Sequence, residues 1–141
     1  MTPVALTPQL ERLLDSRPVG VLATPGAGGI PRQSVVYYVR DGDRLLISSV
    51  EGRHKVADVE REGWASLNVM GEERPFPSAT FSGHAEIVRA GIGPATAAVA
   101  QRVMGSAEPP EPQSDEALAS VGRVIIAITV ERVSAVGYLD T

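Results

Sequence analysis

The spacing of apolar residues changes several times along the chain, and each change predicts a different element. In segment 7–17 the leucines recur at helical spacing behind Thr7, which predicts a helix with Thr7 at its N-cap and Pro8 in its first turn. The apolar run 19–24 is shorter and stops at the glycine-rich segment 25–29. It therefore predicts a strand followed by a turn.

Five further segments are rich in β-branched or aromatic residues, or alternate apolar with polar positions, as strands do. Asp41-Gly42 predicts a hairpin between the second and third strands, and Gly83 marks a bulge in the fifth. The last segment is apolar on both faces over VIIAITV, which predicts a central place in the sheet or at an interface. These predicted strands are 32–40, 44–49, 64–70, 78–89 and 123–138.

Helical character appears in three more segments, 53–62, 94–104 and 115–120. Segment 105–114 contains three prolines, and we expect a mobile surface loop there. Six largely antiparallel strands in so short a chain favour a closed or nearly closed barrel, because closure removes exposed sheet edges. The sequence therefore predicts one mainly β domain, 1–141, with flanking helices.

Composition narrows the possible functions. The chain is 43% hydrophobic and 21% charged, as globular proteins are. Its net charge of -4 argues against nucleic acid as the main partner, because binding to a phosphate backbone needs a basic face. No leader pattern opens the sequence, and its longest apolar run is far below the about 20 residues of a membrane span. We expect a cytoplasmic protein that binds neither nucleic acid nor membranes.

Candidate catalytic groups are few. The chain has no cysteine, which excludes disulfides and thiolate chemistry, so redox chemistry would need a borrowed cofactor. His54 and His84 are the two histidines, and no further ligands stand at a spacing that predicts a metal site. A G-x-S-x-G elbow is also absent. No metal site is predicted, and the residues alone name no catalytic group.

The most informative local feature is the basic loop, Gly52-Arg53-His54-Lys55, at a predicted strand-to-helix junction. Backbone N–H groups at a helix start, together with an Arg fork and a Lys charge, form a site suited to a phosphate. Lys55 is the chain's only lysine among 13 basic residues. The residues leave two interpretations open, a phosphate site and a solvated basic turn.

The order of several short sequence segments resembles that of a known family, the FMN-binding split-barrel superfamily typified by pyridoxamine 5'-phosphate oxidase. The segments are, in order, GVLAT, a glycine turn with Ile30-Pro31, QSVVYYV, LLISS, GRHKVADVERE and WASLNV. The resemblance covers residues 7–89 and the closing strand. Within the superfamily, the pattern is most similar to the actinobacterial deazaflavin-dependent reductases, which use coenzyme F420.

The resemblance implies a six-stranded antiparallel split β-barrel and a set of cofactor-binding residues. The basic loop with Arg53, His54 and Lys55 would grip the cofactor's phosphate. The other residues that it implies for the cofactor are Ser34, Val35, Val36 and Tyr37 beside the ring or its tail, and Ser48 and Ser49 near the phosphate. Tyr37 and Tyr38 point to opposite faces of a strand, so at most one of them meets the cofactor.

The resemblance also implies an activity. We expect an F420-dependent oxidoreductase that transfers hydride between the deazaflavin and a small, planar, electron-poor molecule, as a homodimer with cofactor sites across its interface. The longer acidic tail of F420 would use further basic residues, with Arg32, Arg61 and Arg74 as candidates. Pyridoxamine phosphate oxidases carry Arg where this chain has Ser34, and also a C-terminal substrate-binding extension, which argues against vitamin B6 oxidation.

Two other functions remain open from the sequence. One is an FMN-dependent oxidoreductase, in which FMN would occupy the same phosphate site. The other is a non-catalytic module that binds a flavin or haem, with His84 as the expected haem ligand.

Overall fold

Local sequence signals set the bounds of the elements in the computed structural model, which describes residues 4–137. The Thr7 side chain accepts a hydrogen bond from the Leu10 N–H at 3.2 Å and so begins the first helix, as predicted. The helices are α1 (Pro8–Ser16), α2 (His54–Glu62), α3 (Gly93–Met104) and α4 (Asp115–Ser120). The strands are β1 (Val19–Pro25), β2 (Pro31–Tyr37), β3 (Val39–Asp41), β4 (Arg44–Val50), β5 (Trp64–Met70), β6 (Ser78–Val88) and β7 (Arg123–Val136).

The described strands form one curled, antiparallel sheet in the order β2-β1-β5-β6-β7-β4-β3, flanked by the helices. The mainly β class with flanking helices is confirmed, but the predicted count of six strands is wrong, because the sheet has seven. The predicted strand 32–40 is two strands that meet at Tyr38. Its first part pairs with β1 and its second with β4, so one run of β-type residues changes partner midway.

This change of partner explains the curl of the sheet. β2 and β3 occupy the two opposite edges of the sheet, yet only Tyr38 separates them in the chain. Because consecutive Cα atoms lie about 3.8 Å apart, the two edges must come together at this residue. The curl in turn brings β2 into contact with β4.

Tyr38 is fully buried at this junction. Its hydroxyl donates a hydrogen bond to the Leu14 carbonyl at 2.8 Å, and the Arg102 guanidinium carbon lies 4.9 Å from the centre of its ring. Arg102 also donates to the carbonyl oxygens of Leu14 and Arg17, at the end of α1. Burial raises the pKa of Tyr38 to about 12, against an opposing effect of Arg102, so the hydroxyl stays protonated and keeps donating.

β7 is the central strand that its apolar sequence predicted. It pairs with β6 on one side and β4 on the other, and residues 124–128 are buried. The bulge predicted at Gly83 is also confirmed, because the β6–β7 register shifts there and a Cβ on Gly83 would lie only 1.8 Å from the Thr129 carbonyl oxygen. The predicted end of this strand, Tyr138, lies outside the described residues.

Segment 105–114 has no helix or strand, in agreement with the predicted loop. Between residues 4 and 137, no helix combines the length and the apolar character that a bilayer span requires.

The two adjacent tyrosines offer a matched test of the junction. We expect Tyr38→Phe to lower the free energy of unfolding by about 1–2 kcal/mol, because it removes a buried hydrogen bond and the Leu14 carbonyl loses one of its donors. Tyr37→Phe is the control, since Tyr37 is 39% exposed and should change stability little. Urea denaturation of both variants measures the difference, and equal stabilities would contradict this role for Tyr38.

Candidate functional site

The basic loop lies at the junction that the sequence predicted, between β4 and α2. Gly52 has φ 88°, a left-handed conformation that favours glycine, and Arg53 is the N-cap of α2. The side chains of Arg53 and His54 are exposed and that of Lys55 is half-buried. The first backbone N–H groups of α2 therefore lie beside two cationic side chains.

This pair of cations has no acidic partner in the part of the chain that the structure describes. Among residues 4–137, no carboxylate forms an ion pair with Arg53 or Lys55. Burial, and secondarily the nearby charge of Arg53, lower the pKa of Lys55. An anion bound here would relieve the repulsion between the two cations.

Interactions around the loop fix its position. The Glu51 N–H donates to the Gly122 carbonyl at 2.8 Å, which joins the loop to the residue before β7. The Glu51 carboxylate accepts two hydrogen bonds from Arg89, each 2.9 Å, and Arg89 also contacts Glu60 on α2 at 3.0 Å. The hydrogen bond from Arg89 lowers the pKa of Glu51. These contacts join Glu51, which precedes the loop, to the residues that flank β6 and β7, and they join α2 to Arg89.

A buried carboxylate holds α2 against β1 and β2. Asp58 is 1% exposed and accepts hydrogen bonds from Thr24 Oγ1 (2.9 Å), Arg32 Nε (2.9 Å) and Arg61 Nη2 (3.0 Å). Burial alone would raise the pKa of Asp58, but the hydrogen bonds from Arg61, Thr24 and Arg32 lower it overall. The helix that carries the basic loop is thus fixed in its orientation.

The Asp58 contacts bear on the basic residues suggested for a cofactor tail. Arg32 and Arg61 both pair with Asp58. Arg74 is exposed in the loop before β6, with its guanidinium carbon 5.7 Å from the centre of the Phe76 ring. Two of the three candidates therefore already have a structural role.

An apolar cavity of about 450 Å³ lies where the curl brings β2 beside β4, and helices α3 and α4 form its outer wall. This volume falls within the range of small-molecule sites. Of the residues that the resemblance implied, four line it: Val35, Val36, Tyr37 and Ser48. Tyr37 lines the cavity while Tyr38 lies in the core, as their predicted opposite orientations require.

The remaining predicted residues do not line this cavity. Ser34 is half-buried on β2, and Ser49 is 6% exposed on the opposite face of β4 from Ser48, facing the core. Arg53, His54 and Lys55 lie beyond the end of β4, on the basic loop. The structure thus separates an apolar cavity from a cationic loop, and the last residues of β4 connect them.

Nine of the thirteen residues that line the cavity were missed by the sequence reading, among them two with polar groups that a bound molecule could use. Arg123, the first residue of β7, is half-buried in the cavity, and its Nη1 donates to Ser48 Oγ at 3.4 Å. Thr96 Oγ1 on α3 is buried with no hydrogen-bond partner in the described part of the chain. Arg123 comes beside Ser48 only through the β4–β7 pairing, 75 residues apart in sequence, so no local pattern indicated it.

The histidines do not form a second site. His84 is exposed on β6, opposite Trp64 on β5, and does not line the cavity. Within residues 4–137, no group of three or more His, Asp or Glu side chains is arranged to hold a metal ion.

Comparison with known proteins identifies the family and the fold. The family model described as pyridoxamine 5'-phosphate oxidase matches residues 6–137. A solved F420 reductase is 26% identical with a TM-score of 0.70, and the match covers 88% of this chain and 94% of that one. No curated protein matches the sequence significantly.

Two more distant structures share the fold. An FAD-binding protein from Mesorhizobium loti is 20% identical with a TM-score of 0.69, covering 96% of this chain and 97% of that one. A haem-binding protein from Mycobacterium smegmatis is 22% identical with a TM-score of 0.66, covering 96% of this chain and 57% of that one.

The Asp58 network generates a prediction about stability and pH. Asp58→Asn should lower the free energy of unfolding at pH 7 by about 1–3 kcal/mol, because a buried charged acceptor is lost. The pKa of Asp58 is lowered in the folded state, so its contribution is present above the ordinary carboxyl pKa of about 4 and disappears as the pH falls through the folded-state value.

The difference between wild type and variant should therefore shrink in urea denaturations carried from pH 7 to pH 3. Asp43→Asn is the control, because the Asp43 carboxylate forms no ion pair within the described chain. A difference that stays constant with pH would contradict the assigned charge state.

Proposed function

The chain belongs to the pyridoxamine 5'-phosphate oxidase family, and from this we propose that it is an F420-dependent oxidoreductase with the cofactor's phosphate on the basic loop. One observation carries the proposal. Arg53 and Lys55 lie at the start of α2 with no ion-pair partner among residues 4–137, and β4 connects them to an apolar cavity of small-molecule size. A phosphorylated molecule with a flat ring system suits both parts.

The cavity residues fit the ring of such a cofactor. Val35 and Val99 supply aliphatic walls, and the buried Thr96 Oγ1 without a partner would gain one from a polar ring atom. When bound, a flavin or deazaflavin supplies hydride transfer, and the protein supplies binding, orientation and exclusion of water. The substrate in this proposal is a small, planar, electron-poor molecule, and its proton donor stays unassigned.

F420 is preferred over FMN because of one comparison. The solved structure at 26% identity is an F420 reductase, and its match covers most of both chains. FMN is the alternative, since it offers a phosphate to the same loop. Arg32 and Arg61 are occupied by Asp58, which weakens the expected role of these two arginines in binding the longer acidic tail of F420.

A haem-binding module is a second candidate function, favoured by the likeness to a haem-binding protein from Mycobacterium smegmatis. The position of His84, the expected ligand of the haem iron, does not support this function, because His84 is exposed on β6 and does not line the cavity. Vitamin B6 oxidation is not proposed, since Ser34 stands where those oxidases carry Arg. We keep the cytoplasm as the expected location.

Titration of the apo-protein with F420, FMN and haem tests the proposal, with cofactor fluorescence and absorbance as the signals. We expect F420 to bind, and Lys55→Ala to weaken that binding by about 1–3 kcal/mol, the loss typical of a charge-assisted hydrogen bond. Arg12→Ala is the control, because Arg12 is an exposed arginine on α1. Failure of both F420 and FMN to bind would refute the proposal, and tight FMN binding without F420 binding would select the alternative.

We also propose a homodimer with the cofactor sites across its interface. Val35, on the edge strand β2 beside the cavity, is 70% exposed, and a partner subunit would cover this apolar side chain. Sedimentation velocity at micromolar concentration should give the mass of two chains. A monomer under these conditions would contradict the dimer and the position of the cofactor sites across an interface, whereas the titrations above test separately whether a cofactor binds.

A further inference from the structure

Arg123 is a partly buried arginine with few hydrogen-bond partners among the described residues. It is half-buried, and its hydrogen bond to Ser48 Oγ is long, at 3.4 Å. No carboxylate within residues 4–137 forms an ion pair with it. By contrast, the guanidinium groups that do pair with carboxylates are those of Arg17, Arg32, Arg40, Arg61 and Arg89.

A partly desolvated cation without a counter-charge is costly, and a hydroxyl at 3.4 Å compensates for little of that cost. The remaining donors of the Arg123 guanidinium are therefore available to a bound molecule. A carboxylate or another anionic edge would match their planar, forked geometry.

The rest of the cavity defines what that molecule must look like. Its walls are largely aliphatic, from Val35 on β2 to Val99 and Val103 on α3. Arg123 is the only Lys, Arg, Asp, Glu or His residue among the described residues that line it. The cavity combines one positive charge with an apolar lining. A neutral apolar ligand would leave that charge unpaired, and a fully polar ligand would make no favourable contacts with the aliphatic side chains.

We infer that this cavity binds a flat, apolar ring system that carries negative charge, with Arg123 as the residue that neutralises that charge. This inference extends the proposed function and rests on it, because the proposed function identifies the ring as part of a cofactor or of its substrate. Two sources share the chemistry, the cofactor's own ring in an anionic state and a substrate with a carboxylate on an aromatic ring. Arg123 acts separately from the basic loop, which lies outside the cavity and binds a phosphate in either case.

A matched pair of fluorescent probes tests the inference on the apo-protein. 8-Anilinonaphthalene-1-sulfonate is an aromatic anion, and N-phenyl-1-naphthylamine is its neutral counterpart of similar shape. We expect Arg123→Gln to raise the Kd of the anionic probe about tenfold and to change that of the neutral probe less than about twofold, because only the anion loses a charge-assisted hydrogen bond. Arg123→Lys, which keeps the charge, should retain part of the preference.

Two further variants control for location and folding. Arg44→Gln makes the same change in another half-buried arginine without an ion pair, which lines a different cavity, and should alter neither Kd. Ala100→Phe fills the cavity from α3 and should weaken both probes. Continued binding of the neutral probe to Arg123→Gln shows that the cavity of that variant is intact.

Equal losses of both probes in Arg123→Gln, or no loss of the anionic probe, would overturn the inference. Saturation with F420, or with FMN if only FMN binds, distinguishes the two sources, and either result supports the inference. Displacement of the anionic probe indicates the cofactor ring, and retention of the probe beside the bound cofactor indicates a substrate. If neither F420 nor FMN binds while the Arg123-dependent preference persists, the proposed function fails and the anion site stands. If a cofactor binds but the preference is absent, the anion site fails and the proposed function stands.

Discussion

The passage of the chain through Tyr38, from one edge of the sheet to the other, is the constraint on which the rest of the structure depends. β2 and β3 pair with strands at opposite ends of the strand order, so one buried residue must connect both edges. The Tyr38 hydroxyl and the Arg102 guanidinium fasten this junction to the end of α1. The curl of the sheet follows from connectivity, and burial of the tyrosine stabilises it.

The candidate site is a consequence of that curl. In a flat sheet four other strands would separate β2 from β4, whereas here the Val35–Tyr37 segment and Ser48 line one cavity. Helix α3, which contacts β2, β3 and β4, covers the place where the two edges meet. Antiparallel pairing with β7 adds Arg123 beside Ser48, and β4 then leads into the basic loop. A cationic loop and an apolar cavity with its own cation therefore both lie near the end of β4.

Features that depend on neighbouring residues could be predicted from the sequence, whereas contacts between distant segments could not. The Thr7 cap, the Asp41-Gly42 hairpin and the Gly83 bulge each depend on the conformational preference of one or two residues, and all three predictions are confirmed. The break at Tyr38 was missed, because the β-type pattern of 32–40 continues while the pairing partner changes. Arg123 and Asp58 were missed for a related reason, since their partners come from distant segments.

The central claim is that the basic loop recognises a phosphate while the cavity holds a ring. The most direct measurement is isothermal titration of wild type and Lys55→Ala with two pairs of molecules, F420 with its deazaflavin ring lacking the phosphate tail, and FMN with riboflavin. The account predicts that in at least one pair the phosphorylated molecule binds wild type at least about tenfold more tightly than its phosphate-free counterpart, and that Lys55→Ala removes most of this difference while the affinity of the phosphate-free molecule stays the same. Equal affinities within both pairs for the wild-type protein would contradict it.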